Sequence, residues 1–357
     1  MSQLVGYAFS GPAEAAGYDR SNDLDRVINR MVDELVFSPD SSQRLWKDEA
    51  AAFFMVDHCE DGSELQPVSS PDGSKLLFLD GEVFGYQPAS VSPARGGTGV
   101  SRSRPADAAH CLDLFLTHGP QGFEKLNGSF VILVYDRGSG ELLIANDRFG
   151  SRPLFYYGDR DKLVFGTQCG PLLEFKEIGR EIDTQAMFEF FTFQRVFEDR
   201  TLFRSVKLLD PATVLRFGGG TVSTSKYWSM EYRPDSSLSR REFAEELAAT
   251  FSQAVRARVA GGEKAGLFLS GGLDSRAVLG ALKGVVDVEC ITVADLINRE
   301  VQIANRIAHA AGSRHHYIER SEGHYVDIVD EAVRVGGGLF VYAHAHFIGL
   351  FDRVRPI

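Results

Sequence analysis

Leu267-Phe268-Leu269-Ser270-Gly271-Gly272-Leu273-Asp274-Ser275 runs from an apolar stretch into a glycine turn and then into a helical pattern. In an open parallel sheet, ligands bind at the carboxyl ends of strands, where loop N–H groups and the positive end of a helix dipole converge. Gly271 and Gly272 remove the side chains that would keep an oxyanion from the backbone, and the Ser270 and Ser275 hydroxyls can add hydrogen bonds. Asp274 would repel a bare phosphate, so it makes sense there as a ligand for a magnesium ion bridging phosphate oxygens. The plainer alternative is a tight strand-to-helix turn with Asp274 as an N-terminal helix charge.

The surrounding pattern predicts two domains, residues 1–232 and 233–357. Downstream, Ser239 and Glu242 form an S-x-x-E capping box, and Phe243, Leu247, Phe251 and Val255 recur every fourth residue, which predicts an amphipathic helix ending at Gly261-Gly262. A strand over Ala265 to Leu269, a helix from Asp274 to Leu282, a strand over Val285 to Val293, a helix from Arg299 to Ala311 and a strand over His315 to Ile318 follow. This alternation predicts a parallel α/β sheet. Upstream, strands are predicted over Lys75 to Leu79, Phe130 to Tyr135, Leu142 to Ala145, Leu154 to Tyr157 and Leu163 to Phe165, with turns at 136–140 and 158–160. A helix over Asp183 to Phe193 and a hairpin around Gly218 to Gly220 complete this antiparallel half, and Arg233-Pro234-Asp235-Ser236-Ser237 is the expected linker. The fold class is α/β.

Composition narrows the partners. The 357 residues carry 38 basic and 49 acidic side chains, a formal charge of -11, the wrong sign for a chain that neutralises nucleic-acid phosphates. No apolar run reaches the ~20 residues of a membrane-spanning helix. Met1-Ser2-Gln3-Leu4 lacks a basic-then-apolar leader, so the expected address is the cytoplasm. Cys59, Cys111, Cys169 and Cys290 lie far apart and read as buried thiols. His344 with His346, and His315 with His316, read as a polar rim because no third ligand has metal-site spacing. Glu300 reads as a helix-dipole charge.

Ser270 to Ser275 resembles the SGGxDS pyrophosphate loop of the PP-loop ATP-pyrophosphatases. Leu126-Asn127-Gly128-Ser129-Phe130, the block Asn146 to Tyr156, Arg200-Thr201-Leu202-Phe203-Arg204 and Tyr227-Trp228 resemble, in order, blocks of the asparagine synthetase B family. That resemblance implies an N-terminal-nucleophile-like sandwich, α+β, joined to a PP-loop synthetase domain. It further implies ATP and magnesium as cofactors, with Ser270, Gly271, Gly272, Asp274 and Ser275 on the nucleotide. Leu269 and Val293 fall where the family contacts adenosine, though each also reads as a core aliphatic. The implied reaction activates a small-molecule or peptide carboxylate as an acyl-adenylate, releases pyrophosphate and passes the acyl group to an amine or ammonia, and the implied assembly is a homodimer.

The sequence also departs from the family. Glutamine-hydrolysing members carry cysteine at position 2, where this chain has Ser2. Their Asn-Gly-Glu oxyanion segment is Asp80-Gly81-Glu82 here, and a carboxylate facing a developing oxyanion would oppose the reaction. Arg102-Ser103-Arg104-Pro105-Ala106 lies near where an S-D-T-E-like string is expected, and no R-x-R-G-P-D block precedes residue 74. The expectation is a first domain that keeps its fold and has lost glutamine hydrolysis, as in the family's β-lactam synthetase and lasso-peptide cyclase relatives. No later SGxGxDE segment is found before Ile357, so a truncated product, a chain needing a partner, and a non-catalytic ATP-binding or regulatory remnant all stay open. A PP-loop enzyme acting on tRNA is a further rival, opposed by the charge.

Overall fold

A computed structural model describes residues 3–11, 23–35, 42–57, 66–86, 104–234, 237–259, 264–336 and 345–357. Two compact units result, and the main division between them falls between Met230 and Glu231. The expected linker residues Asp235 and Ser236 lie outside the described residues.

The first unit is built on two six-stranded antiparallel sheets. The first contains β1 (Gln3–Phe9), β2 (Ser42–Lys47), β3 (Ala51–Asp57), β8 (Phe155–Gly158), β9 (Lys162–Gly166) and β10 (Lys207–Leu208), in the order β10-β8-β9-β1-β3-β2. The second contains β4 (Val68–Ser69), β5 (Lys75–Phe84), β6 (Asn127–Asp136), β7 (Leu142–Asn146), β11 (Thr213–Gly218) and β12 (Thr221–Lys226), in the order β12-β11-β7-β6-β5-β4. Leu4, Phe53 and Met55 of one sheet meet Phe78, Leu133 and Ile144 of the other in a shared core. The alternate residues face outward under helices. Val5, Tyr7, Phe54 and Val56 pack with Val27, Ile28 and Met31 of α1 (Asp23–Asp33). Leu77, Leu79 and Ile132 pack with Ala108, Cys111 and Leu112 of α2 (Arg104–His118).

Sequence periodicity missed β1, β2, β3 and α2. With both faces covered, the central strands read as unbroken apolar runs such as Ala51 to Val56, and the period-two signal disappears. The strand expected to end at Leu79 continues to Phe84, so Asp80-Gly81-Glu82 lies within β5 and pairs with Val131, Phe130 and Ser129. Asp183 caps α3 (Thr184–Phe193), its carboxylate accepting from Ala186 N at 2.9 Å.

The second unit holds a parallel sheet of three strands, β13 (Lys264–Phe268), β14 (Asp287–Ala294) and β15 (Arg314–Glu319), in that order. Its helices include α4 (Arg240–Val259), α5 (Leu273–Leu282) and α6 (Arg299–Ala311), close to their expected spans. The capping box forms, with Glu242 accepting from Ser239 N at 2.9 Å and Ser239 accepting from Glu242 N at 3.3 Å. The expected apolar stripe of α4 is only partly used. Val255 and Val259 pack on the core, whereas Phe243 and Leu247 are 58% and 57% exposed. Leu269, Leu279, Leu282, Val288, Cys290 and Ala304 form that core. Cys111, Cys169 and Cys290 are buried free thiols, and Cys59 lies outside the described residues.

Candidate functional site

The loop after β13 is held by its own side chains. Ser275 Oγ accepts from Ser270 N at 3.2 Å and lies 3.0 Å from Ser270 Oγ, which in turn accepts from Gly272 N at 3.1 Å. Gly271 N donates weakly, at 3.4 Å, to the carboxylate of Glu300 on α6. A Cβ on Gly271 would lie 3.2 Å from Glu300 Cγ and 3.3 Å from its Cα, so glycine permits this close approach. Arg276 straps the other side, donating from Nε to Gly272 O at 2.9 Å and from Nη2 to Gly271 O at 3.1 Å. The loop carbonyls are thus engaged by a cation, and the loop's N–H groups meet serine oxygens and one carboxylate. Anionic oxygens are the natural replacements for such acceptors, and the ten-residue helix starting at Leu273 adds its dipole.

Asp274, in the first turn of α5, is exposed. Among the described residues no three acidic, histidine or cysteine groups converge into a metal-ligand set. A single open carboxylate beside a loop of backbone N–H groups is nonetheless a donor set that would suit magnesium, which is commonly bound through one or two carboxylates, with water and substrate oxygens supplying the rest.

Leu269 and Val293 are not brought together. The Leu269 side chain belongs to the core with Leu279 and Cys290, whereas Val293 packs with Ile291, Ile318 and Leu350. Glu300, expected as a dipole charge only, also touches the loop. Arg276 was not singled out from sequence, although its position one residue past Ser275 placed it within reach of the loop. The neighbouring histidines have separate partners. His315 Nε2 lies 2.8 Å from Thr292 Oγ1, and His316 Nε2 lies 2.8 Å from the Glu289 carboxylate. His346 Nδ1 lies 2.5 Å from the Tyr325 hydroxyl, and His344 is outside the described residues.

In the first unit, Ser2, Arg102 and Ser103 lie outside the described residues. Asp80 carries a partner that its sequence position did not indicate. Its buried carboxylate accepts from Arg152 Nη1 at 2.7 Å, and the Arg152 side chain is itself 14% exposed. Gly81, with φ +129°, sits where a Cβ would be 2.1 Å from Ser129 O and 2.7 Å from Phe130 Cα. Glu82 is exposed. Asp107, one residue beyond the altered 102–106 string, is a buried acid that accepts from Val83 N at 3.2 Å and from the Tyr86 hydroxyl. It is not among the candidates read from the sequence. Asp147 organises the Arg148-Phe149-Gly150 turn, accepting from Phe149 N at 3.0 Å and from Ser151 Oγ at 2.9 Å.

Two family models match successive parts of the chain. A family model described as a glutamine amidotransferase domain matches residues 15–228, and one described as asparagine synthase matches residues 246–352. Asparagine synthetase [glutamine-hydrolyzing] 1 of Bacillus subtilis is 24% identical over 266 residues, which cover 73% of this chain and 41% of that protein. A putative asparagine synthetase [glutamine-hydrolyzing] of Mycobacterium tuberculosis is 26% identical over 260 residues, covering 70% of this chain and 39% of its own. Amidase chry2 of Gibberella zeae is 25% identical over 293 residues, covering 76% and 42%. The chain therefore spans about two fifths of the length of these relatives. The solved glutamine phosphoribosylpyrophosphate amidotransferase of B. subtilis, complexed with ADP and GMP, aligns over 89% of this chain and 90% of that one at 10% identity and a TM-score of 0.34, too low to bear on the fold.

Proposed function

Since the chain belongs to the asparagine synthetase family, we propose that it is an ATP-dependent amide-forming ligase, activating a carboxylate as an acyl-adenylate with release of pyrophosphate and transferring the acyl group to an amine or ammonia. The observation that carries the reading is the loop after β13. Its backbone N–H groups at Ser270, Gly271 and Gly272 end on exchangeable acceptors at the start of α5, next to an exposed acid.

In this reading Gly271 N and Gly272 N bind oxygens of the leaving pyrophosphate, the Ser270 and Ser275 hydroxyls turn from one another toward the same oxygens, and Arg276 balances their charge. Asp274 would hold magnesium, whose positive charge would offset the negative charge of the phosphates. Val293 is half-buried near the end of β14, whereas the buried Leu269 side chain serves the core and would contribute to the nucleotide site through its backbone alone. Catalysis on these terms is positioning and charge neutralisation, with no covalent role for the protein.

For the first unit we infer a fold retained without glutamine hydrolysis. Support comes from Ser2 in place of cysteine and from the Asp80–Arg152 pair, which puts a carboxylate and a guanidinium where a small amide side chain is expected. The nitrogen then comes from a substrate amine or from ammonia.

The test is pyrophosphate release from magnesium ATP across a panel of amino-acid and peptide carboxylates, each with ammonia and with primary amines. Release that disappears in Asp274→Ala supports the ligase. Nucleotide binding without turnover on any carboxylate identifies a regulatory ATP-binding protein instead. In parallel, glutamate formed from glutamine by the same preparation would overturn the inference about the first unit.

A further inference from the structure

The two glycines that open the loop to an anion also leave it without steric direction, because a Gly-Gly pair has wide backbone freedom. Something else must aim its N–H groups. The hydrogen-bond ladder between β13 and β14 ends where Leu269 N donates to Ile291 O at 2.8 Å. The next polar group, the Leu269 carbonyl, is taken by a side chain: Thr292 Oγ1 donates to it at 2.6 Å. At the other end of the same peptide unit, Ser270 N donates to Ser275 Oγ at 3.2 Å. One peptide plane is therefore held at both ends, from β14 on one side and α5 on the other.

A threonine hydroxyl has a single proton. Used on Leu269 O, it leaves Thr292 Oγ1 as an acceptor, so the 2.8 Å contact with His315 fixes Nε2 as the donor and selects the Nε2–H tautomer. Burial, with smaller contributions from His309 and His316, lowers the His315 pKa and favours the neutral ring. The relay thus crosses all three strands, from β15 through β14 to the loop. Thr292 is buried at 5% exposure, so water does not readily replace its hydroxyl, and its β-branch restricts χ1.

We propose that Thr292, braced by His315, is a positioning residue that locks the Leu269–Ser270 peptide plane and thereby aims the loop's N–H groups at the pyrophosphate. This rests on the reading of the loop as a pyrophosphate cradle, and its two measurements separate the two claims. The first is amide hydrogen exchange of the unliganded full chain in Thr292→Val and Thr292→Ser. The valine variant, which keeps shape and loses the hydroxyl, is expected to raise exchange over 269–272 alone, and the serine variant to restore protection. The second is calorimetric titration with magnesium pyrophosphate, where T292V is expected to bind about tenfold more weakly and T292S within about twofold of the parent.

Unchanged exchange at 269–272 in T292V, or exchange accelerated uniformly across the second unit, overturns the clamp whatever binds. A localised exchange change with undiminished pyrophosphate affinity overturns its role in aiming the loop. A parent chain that does not bind magnesium pyrophosphate removes the cradle reading and with it the aiming role, and the exchange result still decides the clamp.

Discussion

Asp80-Gly81-Glu82 in the first unit and Ser270-Gly271-Gly272 in the second use glycine to opposite ends. Gly81 is buried, strained toward positive φ and packed against the backbone of β6, with its neighbour Asp80 tied to Arg152. Gly272 is exposed and Gly271 half-exposed beside Glu300, and their N–H groups end on side chains, weakly on Glu300 at 3.4 Å and on Ser270 Oγ at 3.1 Å. The first segment has its polar groups committed to the fold. The second ends its N–H groups on side-chain oxygens, which under the proposed function would be exchanged for those of a ligand. The contrast is between a segment whose charge is paired and buried and a loop whose donors rest on its own side chains and on Glu300.

The sharpest way to break this contrast is Gly81→Ala. The added carbon would meet backbone atoms of Ser129 and Phe130, which cannot swing away, so a loss of about 4 kcal/mol or outright misfolding is expected in urea denaturation. Tolerance of alanine there would mean that β5 is not fixed by close packing. Arg152→Met comes next, because it strands the buried Asp80 carboxylate; about 3 kcal/mol should be lost, and adding Asp80→Asn should recover much of it. If the double variant is no more stable than the single, the pair is not the unit that holds this segment.

Gly271→Ala should behave differently, costing about 1 kcal/mol of stability, since the added carbon would be tight against Glu300 Cγ and Cα at 3.2 and 3.3 Å without overlapping them, while weakening magnesium pyrophosphate binding markedly. A variant that binds normally would separate the loop from the anion. The smallest effect concerns Glu289, whose pKa falls to about 2, first through its bond to His316 and then through Lys264 and Arg314. A depressed folded-state pKa stabilises the fold above the ordinary glutamate range, and that contribution is lost as pH falls toward about 2. Glu289→Gln should therefore flatten the stability profile of the second unit between about pH 5 and 2, as followed by fluorescence at each pH.

The second unit was the more legible in sequence, for a physical reason. Its helices carry end signals, such as Ser239 with Glu242 and Gly312 at φ 82°, and its strands are short apolar segments between them. In the first unit, strands such as β3 are covered on both sides and lose their period, and α2 lies in a stretch without a strong amphipathic signal. The loop itself is legible as a strand-to-helix turn from its glycines and serines. Arg276, Thr292 and Arg152 are not, because each acts through a contact that only the folded chain creates: an arginine reaching back to carbonyls, a hydroxyl ending a ladder, a guanidinium 72 residues from its carboxylate.

The placement of β1 bears on how the protein is made. It lies between β3, which is translated soon after it, and β9, whose partner residues 162–166 come more than a hundred positions later. At about 5–20 residues per second, a ribosome leaves the amino-terminal strand with one neighbour for on the order of ten seconds before the other emerges. Through that interval a run as apolar as Leu4 to Phe9 shows an unpaired edge to the cell, and the nascent chain needs a chaperone, or its own β2–β3 hairpin, to keep it from pairing with a stranger.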